Sequence, residues 1–206
     1  QANNTWSVAY TISSTTTSVM SYDGTVICSF NGTTTAIKMH KKTNGWATNG
    51  TITLPGNTYA SQIPAINANG THLVIDANAK PYTFINTTAN AWNHNSDSTG
   101  SNTTSSNYGI GDGTSIGISD DGSYIAYAYI NDERVYIIPW PTIKYTNWYQ
   151  YAVKTFNYTN STRPGRALSF RGSTSTGFTL GVITCQAQST VNNKLSTYYI
   201  YASDGD

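Results

Sequence analysis

A short pattern built around a residue pair ending in glycine recurs four times along the chain and constrains the fold more than any other feature. Each copy has a strand-like run before the pair, and in three copies an apolar run follows almost at once. Because Asp-Gly and Asn-Gly between apolar runs are typical of β-hairpin turns, we predict about four antiparallel β-units. The pairs recur roughly every 50 residues and are Asp23-Gly24, Asn69-Gly70, Asp121-Gly122 and Arg171-Gly172.

The composition of the 206 residues indicates the same fold class. Ser, Thr and Asn make up more than a third of the chain, 13% of it is aromatic, and Glu133 is its single glutamate. Aromatic and β-branched residues fit a pleated, half-buried surface, whereas helix formers are scarce. We therefore predict an all-β fold in one domain. Two architectures fit the spacing of the turns: an antiparallel β-sandwich, or a small array of β-units that resembles the blades of a β-propeller.

The first residues form one strand more than the four units need. Apolar and polar side chains alternate along it, and the hydroxyl-rich segment 13–18 follows as a linker. We assign residues 1–18 to this strand and linker and residues 19–206 to an all-β head domain. The third unit has four predicted strands and the fourth has three, so the spare strand can complete the fourth unit. The predicted donor-strand residues are Thr5, Trp6, Val8, Tyr10 and Ile12.

A spare strand beside an unpaired sheet edge is expected to pair with it. Pairing within one molecule closes the fold of a monomer. Pairing between molecules repeats the same head-to-tail contact in every subunit and builds a filament. Both outcomes stay open from the sequence.

The two cysteines and the first residue bear on the compartment in which the protein works. Cys28 and Cys185 lie in apolar runs near opposite ends of the chain, and outside a reducing compartment they are expected to form a disulfide. Such a bond would stabilise the fold by about 4–5 kcal/mol in the loop-entropy description. The alternative is two buried free thiols. The chain also begins at Gln1, which favours a processed mature protein.

Eight Asn-x-Ser/Thr triplets predict N-glycosylation and a covalent glycan partner. Three of them, at Asn31, Asn49 and Asn69, are Asn-Gly-Thr sequences that we expect at exposed hairpin tips. The predicted location is the cell surface or the extracellular space. The eight acceptors are Asn3, Asn31, Asn49, Asn69, Asn86, Asn102, Asn157 and Asn160.

The candidate catalytic and metal-binding residues lack the patterns that such sites require, so we predict that the protein is not an enzyme. Ser115 lies in a Gly-x-Ser-x-Gly sequence, but a strand and a turn follow it rather than the required helix. The adjacent Asp120 and Asp121 suit a turn better than acid–base chemistry. His40, His72 and His94 lack metal-ligand spacing, and Asp112 alone is too few oxygens for calcium. We predict no metal and no cofactor.

Charge and hydropathy exclude two partner classes. The formal net charge is +1, and nucleic-acid binding rests on clustered cations. No run approaches the roughly 18 apolar residues of a membrane span. The aromatic segment 137–151 is expected to be mainly core, or alternatively a docking platform. Pro139 and Pro141 predict that it runs along a sheet margin.

Taken together, the strand Thr5–Ile12, the hydroxyl linker 13–18 and the dispersed acceptor asparagines resemble the glycosylated thread-type surface filaments of thermoacidophilic archaea. Subunits of that family are joined by donor-strand complementation. The resemblance implies a structural, non-enzymatic filament subunit whose partners are copies of itself, with a possible role in adhesion. The alternative from another class is a monomeric extracellular β-propeller or β-sandwich module that binds carbohydrate or protein and is closed by its own first strand.

Overall fold

A computed structural model provides the fold of the chain. It describes residues 7–8, 10–13, 15, 17–31, 36–54, 64–77, 80–88, 91–94, 116–129, 134–140, 154–157, 167–173, 177–185 and 195–202.

The first two sheets each contain four antiparallel strands in chain order. The strands of the first sheet are β1 (Thr17–Met20), β2 (Val26–Phe30), β3 (Ala36–Lys41) and β4 (Thr48–Thr53), with a 3-10 turn at Lys42–Asn44. Those of the second are β5 (Ala65–Ile66), β6 (His72–Ala77), β7 (Lys80–Thr88) and β8 (Ala91–His94).

The third sheet has four strands and the fourth has three among the described residues, as the sequence predicts. The strands of the third sheet are β9 (Ile116–Ile118), β10 (Tyr124–Tyr129), β11 (Arg134–Pro139) and β12 (Lys154–Asn157). Those of the fourth are β13 (Ala167–Ser173), β14 (Gly177–Cys185) and β15 (Leu195–Ala202).

The four sheets follow one another through their first strands. β1 contacts β5, β5 contacts β9, and β9 contacts β13. A β-sandwich would instead place two sheets face to face. The all-β prediction is confirmed, and of its two architectures the propeller-like array of about four units is the one observed.

Apolar side chains fill the spaces between consecutive sheets. Strand β6 shows how: Leu73 and Ile75 pack in a core with the first sheet, whereas Val74 packs in a second core with the third sheet. All three side chains are fully buried. A strand covered on both faces needs a continuous apolar run rather than alternation, which explains the sequence His-Leu-Val-Ile.

The described part of the N-terminal segment is not in a strand. Ser7, Val8 and residues 10–13 are irregular, and Val8 is 83% exposed. The first sheet begins at Thr17, so Thr17 and Ser18 belong to β1 rather than to the predicted linker. Donation of residues 5–12 to another sheet stays a prediction, and Thr5 and Trp6 lie outside the described residues.

The predicted disulfide is wrong for this structure. Cys28 is a free thiol. It lies on β2 in the core between the first two sheets and is fully buried, while Cys185 ends β14 of the fourth sheet. The alternative of a buried free thiol therefore holds for Cys28. Burial raises the pKa of this thiol, which keeps it protonated.

The expectation that Pro139 marks a sheet margin is wrong. It ends β11, which lies between β10 and β12. Among the described residues, the register of β12 runs from Asn157 opposite Arg134 to Lys154 opposite Ile137. On the other side of the strand, Pro139 lies opposite Tyr124 of β10.

His40 is a buried polar residue on β3. It is 3% exposed, and its Nδ1 lies 3.0 Å from the Trp46 carbonyl oxygen. A carbonyl only accepts, so Nδ1 donates, and Nε2 lies 2.9 Å from the Ser29 hydroxyl oxygen. The imidazole thus links two strands to the turn at Trp46, whose φ is 67°.

Glycines in the turns allow neighbouring sheets to approach. A Cβ on Gly70 would lie 2.5 Å from Val26 Cγ2 of the preceding sheet. One on Gly122 would lie 2.8 Å from the ring of His72, again in the preceding sheet. Both glycines also have positive φ, at 70° and 77°. The same contact therefore occurs at two successive sheet interfaces.

Replacing Gly70 by Ala should destabilise the protein more than the same change at Gly24, the equivalent position of the first turn. Both residues have positive φ, which costs alanine about 1–2 kcal/mol. Only Gly70 faces a neighbouring sheet, since nothing lies within 4 Å of a Cβ on Gly24. Overpacking should add about 1–3 kcal/mol at Gly70. Urea unfolding measures both variants, and equal losses would show that the two sheets separate easily.

Candidate functional site

The first turn is held together by one carboxylate oxygen. Asp23 Oδ1 accepts from the Ser21 hydroxyl at 2.7 Å, the Thr25 amide at 3.0 Å and the Thr25 hydroxyl at 2.7 Å. Gly24 follows with φ 66°, and its amide donates to the Ser21 carbonyl. Burial alone would raise the pKa of Asp23, but the hydrogen bonds from Ser21 and Thr25 outweigh it and lower the pKa.

The second turn repeats this pattern with an asparagine. Asn69 Oδ1 accepts from Asn67 Nδ2 at 2.9 Å, the Thr71 amide at 3.2 Å and the Thr71 hydroxyl at 2.6 Å. Asn67 takes the place of the first-turn serine, and its own Oδ1 accepts from the amides of Thr71 and His72. An amide oxygen thus replaces the carboxylate oxygen.

In the third turn the acceptor is again a carboxylate oxygen. Asp121 Oδ1 accepts from the Ser119 hydroxyl at 2.7 Å and from the amide and hydroxyl of Ser123 at 2.9 and 2.6 Å. The prediction of a turn role for Asp121 is confirmed. In the fourth unit, by contrast, Gly172 lies within β13, because Ser173 still pairs with Gly177. The expected turn at Arg171-Gly172 is wrong by a few residues.

Backbone hydrogen bonds join the turns in chain order. The Asp23 amide donates to the Ala68 carbonyl at 3.0 Å, and the Ala68 amide donates to the Asp120 carbonyl at 3.1 Å. The Asp120 amide then donates to the Gly172 carbonyl at 2.8 Å. We call residues 21–25, 67–71, 119–123 and 171–172 the turn face.

Arg171 connects the fourth sheet back to the first. Its guanidinium carbon lies 4.3 Å from the centre of the Tyr22 ring, and its Nη1 donates to Asp120 Oδ1 at 3.1 Å. The Gly172 amide donates to the other oxygen of Asp120 at 2.9 Å. The contacts among the four sheets therefore form a closed cycle on the turn face. Tyr22 remains 73% exposed within it.

A cavity of about 370 Å³ opens between the first two sheets at the edge of the turn face. Volumes of this size hold small ligands in many proteins. Val26 and Gly70 contribute its apolar part, and Lys41 is its one ionic side chain among the described residues. The remaining lining residues carry hydroxyl or amide groups: Thr25, Thr43, Asn69, Thr71 and Asn86.

His72 lies behind the turn face against an aromatic ring. Its imidazole meets Trp140 edge-on, with ring centroids 4.8 Å apart. Burial lowers the pKa of His72, and the charge of Asp121 partly opposes this shift. Trp140 is 9% exposed, which confirms the core reading for that end of the aromatic segment. Pro141 and the rest of the segment to residue 151 lie outside the described residues.

The predicted glycosylation sites fall in different environments. Asn69 is exposed in its turn, Asn31 follows β2, and Asn86 lies within β7. Asn49 is only 8% exposed in β4, so the expectation of a hairpin tip is wrong there. Occupancy stays a prediction at every site. Asn3, Asn102 and Asn160 lie outside the described residues, and Asn157 ends β12.

The structure describes only some of the residues considered for catalysis and metal binding. Ser115 and Asp112 lie outside the described residues, and the His94 side chain is likewise not described. Within the described ranges, no group of three His, Cys, Asp or Glu residues could hold a metal ion. No helix there is long and apolar enough to cross a membrane. The sequence analysis missed Tyr22, Arg171 and Lys41, because only their placement in space distinguishes them.

Comparisons with known proteins indicate a fold and no family. No family model matches the chain, and no curated protein matches it. Among solved structures, the β-propeller domain of Cps50 (Swd1) from Myceliophteria thermophila has a TM-score of 0.54 at 11% identity. The match covers 84% of this chain and 50% of that one.

Two further structures are similar. A protein of unknown function from Desulfotomaculum acetoxidans has a TM-score of 0.55 at 14% identity, covering 91% of this chain and 56% of that one. KlAtg21, in a complex with the coiled coil of AgAtg16, has a TM-score of 0.52 at 8% identity, covering 86% and 55%. The chain thus spans about half the length of the structures that it matches. At these identities the likeness shows a β-propeller type of fold and nothing more.

Replacing Asp23 by Ala should destabilise the protein by about 1–2 kcal/mol, because three donors lose a shared acceptor in a partly solvated turn. Asp23→Asn should lose less, since Asn69 supports the equivalent turn with an amide oxygen. The Asp23 pKa is below its ordinary 3.8, so the carboxylate stabilises the fold above that value. Urea unfolding should show the advantage of wild type over Asp23→Asn at neutral pH.

That advantage should disappear as the pH falls through the folded pKa of Asp23, where both forms are neutral. A difference between wild type and Asp23→Asn that is the same at pH about 7 and about 3 would contradict this account of the turn.

Proposed function

We propose that the chain is a secreted, non-enzymatic binding module of the β-propeller type, and that the turn face is its partner-binding surface. The observation that carries the proposal is the closed cycle of contacts from Asp23 through Ala68, Asp120 and Arg171 back to Tyr22. A surface fixed in this way loses little conformational entropy when a partner binds, and preorganisation favours affinity.

The chemistry of the turn face supports binding rather than a purely structural role. Tyr22 is 73% exposed although Arg171 covers its ring on one side. Tyrosine and arginine are the residue types most often found at the energetic centre of protein interfaces. An exposed aromatic ring can equally stack on a sugar. One similar structure, the complex of KlAtg21 with a coiled coil, has a protein bound to a fold of this type.

A binding experiment with matched variants tests this proposal. Fluorescently labelled protein is applied to an array of oligosaccharides and to an array of secreted and surface proteins from the organism that produces it. Tyr22→Ser and Arg171→Gln should each weaken the strongest interaction about tenfold. Met20→Ser is the control, because Met20 is 56% exposed on β1 beside the turn face.

Equal loss in all three variants would contradict the turn-face assignment. Absence of any interaction in either format would overturn the binding function.

A filament subunit is the second candidate, and one observation favours it. In the described part of the chain the fourth sheet has three strands, and β15 pairs with β14 alone. We propose that residues 5–12, including the exposed Val8 and Tyr10, can pair with β15 of a neighbouring copy. On this proposal the protein is a subunit of an extracellular polymer of the thread type, with Ile12 directly before the linker.

Deletion of residues 1–12 separates the two candidates. For a filament subunit, the shortened protein should stay monomeric at all concentrations while its melting temperature is unchanged, and electron microscopy should show threads only for the full chain. For a self-closed module, the deletion should lower the melting temperature and leave a monomer in both cases. Threads formed by the shortened protein would exclude donation of this strand.

A further inference from the structure

We infer that the cavity between the first two sheets binds a sugar that carries a carboxylate, with Lys41 as its counter-ion. The inference deepens the proposed function, since it names a ligand class for a site at the edge of the turn face.

Charge is the first step. Lys41 is the one ionic side chain among the described lining residues, and no carboxylate lines the cavity with it. The nearby Asp23 uses Oδ1 to accept three hydrogen bonds inside its own turn. A ligand that enters the cavity therefore finds Lys41 in the lining without a competing lining carboxylate. Because charge-assisted hydrogen bonds are shorter and stronger than neutral ones, an anionic group on the ligand is favoured near Lys41.

The hydroxyl groups of Thr25 and Thr71 favour a sugar over an inorganic anion such as sulfate. Thr25 donates its hydroxyl proton to Asp23 at 2.7 Å, and Thr71 donates its own to Asn69 at 2.6 Å. Neither hydroxyl can then donate to a ligand. The Thr25 oxygen can still accept from one, whereas the Thr71 oxygen already accepts from Asn67 Nδ2 at 3.2 Å and lies 2.9 Å from His72 Nδ1. A sulfate or a fully ionised phosphate, whose oxygens are all acceptors, would meet the Thr25 oxygen without a proton to share. A sugar hydroxyl can donate to it.

The cavity lining also contains hydrogen-bond donors. Asn69 uses Oδ1 within its turn, which leaves its Nδ2 group as a donor in the lining that also contains Lys41. Sugar hydroxyls both donate and accept, and they can therefore use the acceptor Thr25 together with the donors Asn69 and Lys41.

The shape of the cavity fits a ring. Val26 is buried and Gly70 lies directly against it, so that these two residues form an apolar wall without a projecting side chain between them. The carbon face of a pyranose can pack on such a wall while its hydroxyls reach the rim. The volume of about 370 Å³ has room for one or two sugar rings.

Calorimetry with methyl β-D-glucuronide and methyl β-D-glucoside tests the inference on the full chain. The glucuronide should bind more tightly, and Lys41→Gln should weaken its binding about tenfold or more while the glucoside is unaffected. Lys38→Gln is the matched control, because Lys38 lies exposed on the same strand outside the cavity. Thr43→Phe should obstruct the cavity and weaken both ligands while Lys41 is retained.

Three results would overturn the inference. They are equal binding of the two sugars, glucuronide binding that survives Lys41→Gln, and an aspartate tripeptide that binds through Lys41 as tightly as the glucuronide. Partner binding that survives both Tyr22→Ser and Arg171→Gln, with intact glucuronide binding, would remove the turn-face proposal alone. Tyr22-dependent partner binding without glucuronide binding would remove only the sugar site.

Discussion

The structure depends on three turns, in each of which a single side-chain oxygen accepts hydrogen bonds from its sequence neighbours. Oδ1 of Asp23, Asn69 or Asp121 accepts from one residue two positions before it and from the amide and hydroxyl of the residue two positions after it. These bonds fix the backbone of the loop, and the glycine that follows takes the left-handed conformation. With its backbone fixed, each turn directs an amide at a carbonyl of the next unit along the chain. The hydrogen bonds run from Asp23 to Ala68, from Ala68 to Asp120 and from Asp120 to Gly172.

The close approach of consecutive sheets at their turns allows the strands behind the turns to pack against each other. Gly70 and Gly122 bring their sheets against Val26 and His72 of the preceding ones. Apolar strands behind the turns can then fill the spaces between consecutive sheets, and β6 is buried on both faces. Because interiors are close-packed, this arrangement supports the turns from behind. Tyr22 and Arg171 lie on the turn face, and the cavity near Lys41 lies at its edge.

The two proposed functions use different parts of the molecule. Partner binding would use the turn face, where backbone hydrogen bonds join the turns within the chain. Assembly into a polymer would use β15, whose backbone can pair with a further strand because backbone donors and acceptors at a sheet edge need partners. A propeller-type module can therefore carry a ligand site and an assembly edge without competition between them.

The sequence by itself determined the all-β class, the four units, and the turns at Asp23, Asn69 and Asp121. These follow from hydrogen bonds within five residues and from the apolar runs beside them, which are local properties. Only the tertiary structure decided that Cys28 is an isolated core thiol, that His40 is buried, that Asn49 lies in a strand, and that Arg171 stacks on Tyr22. The reason is physical: burial and long-range pairing depend on which sheet covers which face, and that is set by packing between units far apart in the chain rather than by any local pattern.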